Sequence, residues 1–404
     1  MARFRKRKGE VQPNLERQLG LFERLEGLAK RAEAPDPRQP ATKLLCVVMA
    51  MMGLGLLLQA SHAATVFSDT ALFREEVLEQ SLYRVIALGV LLVGYRIGPQ
   101  RLQPILPFLV LASAFMLIAC WIPGLEDPQN GSHRWIELPF VGISVQPSEI
   151  ARLVLVIWVA DRCVRLGERL HEFKRGVLPI MLMASFFVAL IGAETDLGGA
   201  LVFLAVFSST WFVGGASKTH FAWSAAAIGL PFIALAVTSK DYIQRRLDVF
   251  FGTVKNEQVE SSIEALGSGE LFGVGLGHGQ WRTNAMPYQD SDYIFALIGE
   301  ELGFMGMVLC AGLALAFLWF SLRIVLSIRD RYQALAAFGL LLGVGVQAMI
   351  HMQVVTGLAP PKGMTLPFMS DGGTSLLVSS LAVGLALGAA RQQGREAPSA
   401  IHPH

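Results

Sequence analysis

Ten long apolar runs dominate the sequence and restrict the folds that the chain can adopt. A helix needs roughly 20 apolar residues to cross a lipid bilayer, and most of the runs approach or exceed that length. Only 16% of the 404 residues are charged, whereas a soluble globular domain usually carries about 25%. The sequence therefore predicts an all-α polytopic membrane protein of about ten transmembrane helices with long outer loops. The predicted spans are residues 43–60, 82–96, 103–122, 148–164, 177–193, 198–214, 220–238, 293–320, 333–356 and 373–390.

The distribution of basic residues predicts how these spans are oriented. The first eight residues include Arg3, Arg5, Lys6, Arg7 and Lys8, and cytoplasmic segments are enriched in Lys and Arg. With the N-terminus inside, ten spans place four connecting loops and the C-terminus inside, and each of these carries Lys or Arg. Both termini are therefore predicted to be cytoplasmic. The net charge of +2 is too small to indicate a nucleic-acid partner. The long loops, which all open outward, are residues 123–147, 239–291 and 357–372.

Composition divides the chain into three parts. Residues 1–41 form a basic cytoplasmic segment, residues 42–391 hold the ten spans as one transmembrane domain, and residues 392–404 form a cytoplasmic tail. Apolar residues at helical spacing within 14–33 predict either an amphipathic helix on the inner membrane surface or a partly ordered tether. The four cysteines and eight histidines show no disulfide or metal-ligand spacing.

Ionisable residues within spans are costly in lipid, which makes them functional candidates. Glu149 and Arg152 lie three residues apart on one helix face, so they form either part of a site or an internal ion pair that joins two helices. Glu194 and Asp196, at an outer turn, are either site residues or solvated turn residues or helix N-caps. The other candidates, in the eighth span and the last outer loop, are Asp292, Glu300, Glu301 and Lys362.

Asp292 lies where the eighth span meets the outer water, so it is either a reactive acid or only an N-cap. Glu300 and Glu301 are adjacent in that span and cannot share one helix face, so each needs its own partner. The glycine-rich stretch 267–279 has nucleotide-fingerprint spacing, but it follows no predicted strand and lies in an outer loop. Its glycines indicate instead a tight re-entrant fold or a close approach to a lipid head group.

Five segments, in chain order, resemble the SEDS family of FtsW and RodA proteins. The first is NGSHRWIELPFVGISVQPSEIAR at 130–152, beside a family pattern of Gly-(Ala/Ser)-x-Arg-Trp-Ile followed by Gln-Pro-(Ala/Ser)-Glu. The others are ETDLGGA at 194–200, GSGELFGVGLGHG at 267–279, DSDYIFALIGEELGF at 290–304 and TGLAPPKGMTLPFMSDGGTSLL at 356–377. The resemblance covers about residues 43–390, and the Lys362-Gly363 pair favours the FtsW branch.

Several residues depart from the family pattern around the proposed site. Asp371 replaces a Tyr, Asp290 a His and the Glu194-Thr195 pair a Gln-Pro, and Ser144 stands where division-type members often carry Arg. These changes leave room for a specialised member of the family.

The resemblance implies a peptidoglycan glycosyltransferase that polymerises lipid II on the outer face of the bacterial cytoplasmic membrane and releases undecaprenyl pyrophosphate. It implies that Asp292 is the general base. A divalent cation, Mg or Mn, could bind jointly to the pyrophosphate and to carboxylates, and no other cofactor is implied. The implied partners are lipid II, the growing glycan strand, membrane lipid and a class B penicillin-binding protein. The candidate substrate-binding residues are Arg134, Glu149, Arg152, Asp196, Arg245, Arg246, Lys362 and Ser370. The Arg and Lys residues among them either contact the pyrophosphate or are snorkelling surface residues.

Two other functions fit parts of the sequence. A transporter that flips a lipid-linked cell-wall precursor would also bury carboxylates, but it needs polar groups along the whole path. A non-catalytic scaffold of a cell-wall complex would lack the base, and Asp292 is present.

Overall fold

The computed structural model describes ten ranges of the chain, and the statements below concern these ranges. They are residues 38–66, 69–122, 126–129, 132–138, 143–194, 196–222, 229, 249–250, 257–279 and 291–396.

Helices account for most of the described residues, as the sequence predicts. Nine of the ten predicted spans fall on described helices, which confirms the all-α polytopic fold class. The remaining span, 220–238, lies almost entirely outside the described residues. The N-terminal segment 14–33 and about half of the loop 239–291 lie outside them as well. The helices are Arg38–Val66 (α1), Thr70–Leu102 (α2), Leu106–Ala119 (α3), Pro147–Leu166 (α4), Leu178–Ala193 (α5), Leu197–Val213 (α6), Glu257–Ser268 (α7), Ile294–Ser327 (α8), Arg331–Val355 (α9) and Gly373–Glu396 (α10).

Six described segments are long and apolar enough to cross a membrane. One of them, Thr70–Ala119, contains both α2 and α3. The chain bends at Gly98 and Pro99 and then forms a 3-10 turn at Gln103–Ile105, which separates the two helices. A proline within a helix removes a backbone donor and bends the axis. The six segments are Gln39–Val66, Thr70–Ala119, Phe173–Ala193, Ile294–Ser327, Arg331–Val355 and Gly373–Gln392.

Helix α9 occupies the middle of the bundle, where it contacts α4, α6, α8 and α10. Helices α2 and α10 approach closely along a seam of glycines. A β-carbon added at Gly94 would lie 3.0 Å from Leu381 O, and one added at Gly388 would lie 2.8 Å from Tyr95 O. Small residues allow helix backbones to approach one another in membranes. The seam thus fixes α10, and the segment that precedes it, against the N-terminal helices.

A small antiparallel sheet forms within the predicted outer loop 123–147. Its strands are Glu126–Gln129 (β1), Ser132–Leu138 (β2) and Ile143–Val145 (β3), in the order β1-β2-β3. Asp127 pairs with Trp135, and Glu137 pairs with Ser144. The sequence interpretation treated this region as loop and missed the strands, which bring Arg134 and Ser144 to the same end of the bundle as the start of α6.

The glycine-rich segment folds back against α8. Helix α8 is broken at Gly303, which has a φ of 66°, and the segment bonds to the backbone on both sides of the break. Val274 N–H donates to Glu300 O at 3.0 Å, and Phe304 N–H donates to Glu270 O at 2.9 Å. Contact of this segment with a lipid head group stays a prediction.

Both carboxylates of α8 are buried in the bundle. Glu301 accepts hydrogen bonds from Ser61 Oγ of α1 at 2.9 Å and from Gly277 N–H at 2.9 Å. The side chain of Glu300 is 2% exposed. The partners of Glu301 join α1, α8 and the glycine-rich segment, so this acid has a structural explanation.

Candidate active site

Asp292 lies immediately before the start of α8, against the last predicted outer loop. The N-cap position of α8 is occupied by Tyr293, which makes no side-chain capping bond, so the N-cap interpretation of Asp292 is not supported. A β-carbon added at Gly363 would lie 2.7 Å from Asp292 Oδ2, closer than real β-carbons approach other atoms. The absence of a side chain at Gly363 therefore lets the loop backbone lie beside the carboxylate of Asp292.

Lys362, the neighbour of Gly363, extends toward the start of α6. Its side chain lies on Gly198, where an added β-carbon would collide with Lys362 Cδ and Cε. The ammonium group acts electrostatically on Asp196. The pair Lys362-Gly363 thus connects the two predicted acids, with Asp292 on one side and Asp196 on the other.

Asp196 is the N-cap of α6 and is buried. Its Oδ1 accepts the Gly199 N–H at 2.8 Å, and its Oδ2 accepts from Gln146 Nε2 at 3.3 Å. Burial alone would raise the pKa of Asp196, but Lys362, Arg134, the Gly199 bond and Arg152 outweigh it, so the pKa lies below its usual value. The side chain is only 4% exposed, so the N-cap interpretation is confirmed and the solvated-turn interpretation is wrong. An ionised Asp196 is suited to hold the cationic side chains of Lys362 and Arg134 in place.

Glu194 ends α5 beside this cluster and differs from Asp196 in its electrostatics. Glu194 is 1% exposed, and the thiol of Cys120 lies beside its carboxyl group. Burial, and then the charge of Asp196, raise the pKa of Glu194 to about 8. Arg134 Nε donates to the backbone carbonyl of Glu194 at 3.3 Å, which fixes β2 against the turn between α5 and α6. The solvated-turn interpretation of Glu194 is wrong as well.

Glu149 and Arg152 belong to a buried polar network centred on α9. Arg152 Nη2 donates to Gln347 Oε1 at 2.7 Å, and Gln347 Nε2 donates to Thr365 Oγ1 and to Ser375 Oγ, both at 3.1 Å. Glu149 is buried within the same group. Arg152 thus binds α9 rather than forming only a pair with Glu149, and the network joins α4 and α9 to the loop that carries Lys362.

Ser370 links the last loop to the start of α8. Its hydroxyl donates to Ser291 O at 2.6 Å and accepts the Leu366 N–H at 2.7 Å. The bond to Ser291 fixes the residue directly before Asp292. Ser370 itself is only 5% exposed, so its contacts in the structure are positional.

The structure brings together seven of the nine predicted site residues. Arg245 and Arg246 lie outside the described residues, as does Asp290. Sequence reasoning missed Gln146 and Gln347, which bond to the predicted residues Asp196 and Arg152. It also missed Thr365 and Ser375, which bond to Gln347. The sequence signal of Gln347 is weak, since it is a neutral amide within an apolar span.

A metal site made of protein ligands alone does not fit this arrangement. Among the described residues, no three His, Cys, Asp or Glu side chains come together as ligands. Asp196 is bonded to the Gly199 N–H and surrounded by cationic side chains, an environment that disfavours a bound cation.

Comparison with known proteins decides the family. The model of the "Cell cycle protein" family of FtsW, RodA and SpoVE proteins matches residues 41–395. The chain belongs to this family. A relative from Geobacter sp. strain M18, named a probable peptidoglycan glycosyltransferase FtsW, is 34% identical over 352 residues, covering 85% of this chain and 94% of the relative. Membership of the FtsW/RodA family confirms the resemblance stated from the motifs, and the name of this relative agrees with the FtsW branch.

Solved structures of FtsW/RodA family members share the fold. A chain from a peptidoglycan synthase complex, in a study of how polymerization and crosslinking are coordinated, has a TM-score of 0.67 at 24% identity. The match covers 86% of this chain and 97% of that chain. The rod shape determining protein RodA of Thermus thermophilus has a TM-score of 0.59 at 24% identity, covering 86% of this chain and 96% of that chain. The protein is a multi-pass membrane protein of this fold.

Proposed function

We propose that the protein is a peptidoglycan glycosyltransferase that polymerises lipid II into glycan strands. The observation that carries this proposal is the position of the Asp292 carboxylate beside Lys362-Gly363, at one end of a membrane-spanning bundle. An acid and a cation at the membrane boundary suit a substrate whose sugars and pyrophosphate lie just above a lipid tail. The name of the Geobacter relative supports the same activity.

The proposed reaction forms one glycosidic bond and breaks one sugar–phosphate bond. Asp292 accepts the proton of the C4 hydroxyl of one disaccharide as that oxygen attacks C1 of the next. The bond between C1 and the pyrophosphate oxygen breaks, and undecaprenyl pyrophosphate leaves with the electron pair. The leaving group gains negative charge, so cations fixed near it lower the barrier.

Lys362 and Arg134 are the proposed cations within the described ranges. Both act electrostatically on Asp196, which holds positive charge at this end of the bundle. Arg can also contact phosphate oxygens through two donors at once. Arg245 and Arg246 are proposed to belong to the same group. These steps use the chain's own acids and cations.

Glu149, Arg152, Asp196 and Ser370 are proposed to shape the site rather than to exchange protons. Arg152 and Ser370 are each bonded to neighbouring elements, and Asp196 caps α6. Their bonds fix the loop that carries Lys362 relative to Asp292, and precise placement of reacting groups is worth several orders of magnitude in rate.

We further propose that the protein works in the bacterial cytoplasmic membrane with both termini inside, together with a class B penicillin-binding protein. The basic inner loops support the orientation. The fold shared with a chain of a peptidoglycan synthase complex is compatible with such a partner.

The test is a polymerisation assay with purified protein and lipid II, with and without a transpeptidase partner. We expect glycan chains longer than one disaccharide, together with released undecaprenyl pyrophosphate. A parallel assay in liposomes measures movement of lipid II between leaflets. Translocation without any polymer, both with and without the partner, would contradict the proposal and favour the transporter.

A further inference from the structure

A buried arginine lies inside the bundle at a place that the proposed reaction does not use. Arg84 of α2 is 6% exposed. Its Nε donates to Met52 O of α1 at 3.1 Å, and its Nη1 donates to Gln80 O at 2.9 Å and to Gln80 Oε1 at 3.3 Å. Its Nη2 donates to Gln59 Oε1 at 2.8 Å. A charge buried within a membrane span is costly, so the presence of Arg84 needs a structural or functional explanation.

Gln59 connects Arg84 to the last loop through hydrogen bonds. Its Nε2 donates to Met369 O at 3.1 Å, while its Oε1 accepts from Arg84. The approach of the loop to α1 depends on Gly55, where an added β-carbon would lie 2.5 Å from both the Cα and the O of Met369. Met369 therefore lies directly on the backbone of α1, at a position that Gln59 fixes by a hydrogen bond.

The loop forms a tight turn at residues 366–370, called here the 366–370 turn. Met369 and Ser370 both donate their N–H groups to Leu366 O, at 3.1 and 3.0 Å. Phe368 has a φ of 68° although it is not a glycine, and its side chain is 1% exposed. A left-handed conformation in a bulky residue is strained and persists only where the surroundings impose it.

Ser370, at the end of this turn, touches the residue beside the proposed base. Its hydroxyl donates to Ser291 O at 2.6 Å, and Ser291 precedes Asp292. The hydrogen bonds therefore run without interruption from Arg84 through Gln59 to the turn, and from the turn to the start of α8. Asp371, where the resembling family has Tyr, follows Ser370 and acts electrostatically on Arg84.

We propose that Arg84 and Gln59 are positioning residues, which hold the 366–370 turn in its strained conformation and thereby place Asp292. The catalytic part of this inference rests on the proposed function, whereas the structural part does not. A different explanation is that Arg84 only joins α1 to α2. The two explanations differ in what they require of Gln59, since only the positioning role needs its bond to Met369.

A matched pair of variants distinguishes the positioning role from a role in joining α1 to α2 alone. Gln59→Met and Gln80→Met each remove an amide that accepts from Arg84 at the interface of α1 and α2. Only Gln59 also bonds to the turn. Hydrogen–deuterium exchange in lipid nanodiscs would follow the peptide that covers the turn. We expect exchange there to become about tenfold faster in Gln59→Met, with wild-type exchange in Gln80→Met.

An unchanged turn in Gln59→Met, or equal loosening in both variants, would overturn the inference. The second outcome would show that Arg84 acts only by joining the two helices. This readout does not depend on enzymatic activity, so it remains valid if the proposed reaction is wrong.

Turnover measurements test the catalytic part. In Gln59→Met we expect kcat for lipid II to fall roughly 10- to 100-fold with little change in KM, because misplacement of a reacting group affects the chemical step. In the double variant that carries Gln59→Met and Ser370→Ala, the loss of kcat should not exceed that of the stronger single variant, because both changes break the same chain of contacts. Losses that multiply would contradict the positioning role. Full activity of Asp292→Asn would instead remove the proposed base and leave the exchange result intact.

Discussion

Burial of a single carboxyl group makes Glu194 a source of pH-dependent stability. Its pKa is raised to about 8 by burial and by the charge of Asp196, so the folded protein holds this proton more tightly than the unfolded chain does. The resulting stabilisation is complete below the ordinary glutamate pKa and is lost as the pH rises toward and through 8. The folded protein is therefore more stable when the carboxyl group of Glu194 is neutral.

We expect Glu194→Gln to remove this dependence. The variant should resist thermal unfolding better than the wild type at pH 9, by on the order of a few kcal/mol, with a smaller difference at pH 5. Unfolding midpoints in detergent at both pH values would measure the effect. Glu264→Gln, at an exposed site on α7, is the control. Equal pH dependence in the wild type and Glu194→Gln would contradict the account.

At the scale of residues, the sequence predicts the acids and cations of the site but not the groups that hold them. Asp292, Asp196 and Lys362 stand out because charge is costly in a membrane protein. Gln347 and Thr365 do not stand out, because an amide or hydroxyl in an apolar run has many structural explanations. Only the fold shows that Gln347 accepts a hydrogen bond from Arg152 and donates one to Thr365.

At the scale of elements, apolar length identifies the helices reliably and misses structure that depends on tertiary contacts. Nine predicted spans coincide with helices because twenty apolar residues have few alternatives in lipid. The β1-β2-β3 sheet is short, and its strands are fixed by distant groups. Arg134 bonds to Glu194 O, and Ser144 O accepts from Thr374. No local pattern encodes those partners.

The break in α8 gives a prediction at this scale. Gly303 has a φ of 66°, and an added β-carbon would collide with Gly273 N of the glycine-rich segment. We expect Gly303→Ala to destabilise the fold by about 2 kcal/mol or more, from left-handed strain and from displacement of that segment. Thermal unfolding would measure the loss.

Gly312→Ala is the matched control for this substitution. Gly312 lies in the same helix, and an added β-carbon would meet nothing within 4 Å. Helix propensity alone favours Ala at such a site, so this variant should be as stable as the wild type or slightly more stable. Equal stability of both variants and the wild type would show that the break in α8 does not require glycine.

At the scale of the whole molecule, the basic inner loops predict which face of the membrane the site occupies. Glu264 of α7 and Glu168, in the turn after α4, are both exposed. We expect a cysteine at 264 to react with an impermeant maleimide in intact cells and one at 168 to react only after permeabilisation. The background carries Cys46→Ser, because Cys46 is the exposed native thiol among the described residues. Reaction of both positions from the same side would contradict the ten-span arrangement, and reversed accessibility would contradict the orientation.

The assembled bundle explains why the site lies at one end. Helix α9 joins the elements that carry Arg152, Lys362 and Ser370, and the glycine seam of α2 and α10 fixes the remainder. The polar groups of the site therefore come from segments far apart in sequence. The order of the motifs indicates the family of the chain, whereas the distances between these polar groups appear only in the fold.

The rate of Asp292→Asn in lipid II polymerisation is the most direct test of the proposed mechanism. Asn is nearly isosteric with Asp but cannot accept the proton, so we expect a folded, normally abundant protein whose rate is about 100- to 10,000-fold lower. Asp330→Asn is the matched control, because Asp330 caps α9 by accepting the Gln333 N–H at 2.8 Å and Asn caps helices well. It should retain wild-type activity. Polymerisation by Asp292→Asn at close to the wild-type rate would contradict the assignment of Asp292 as the base.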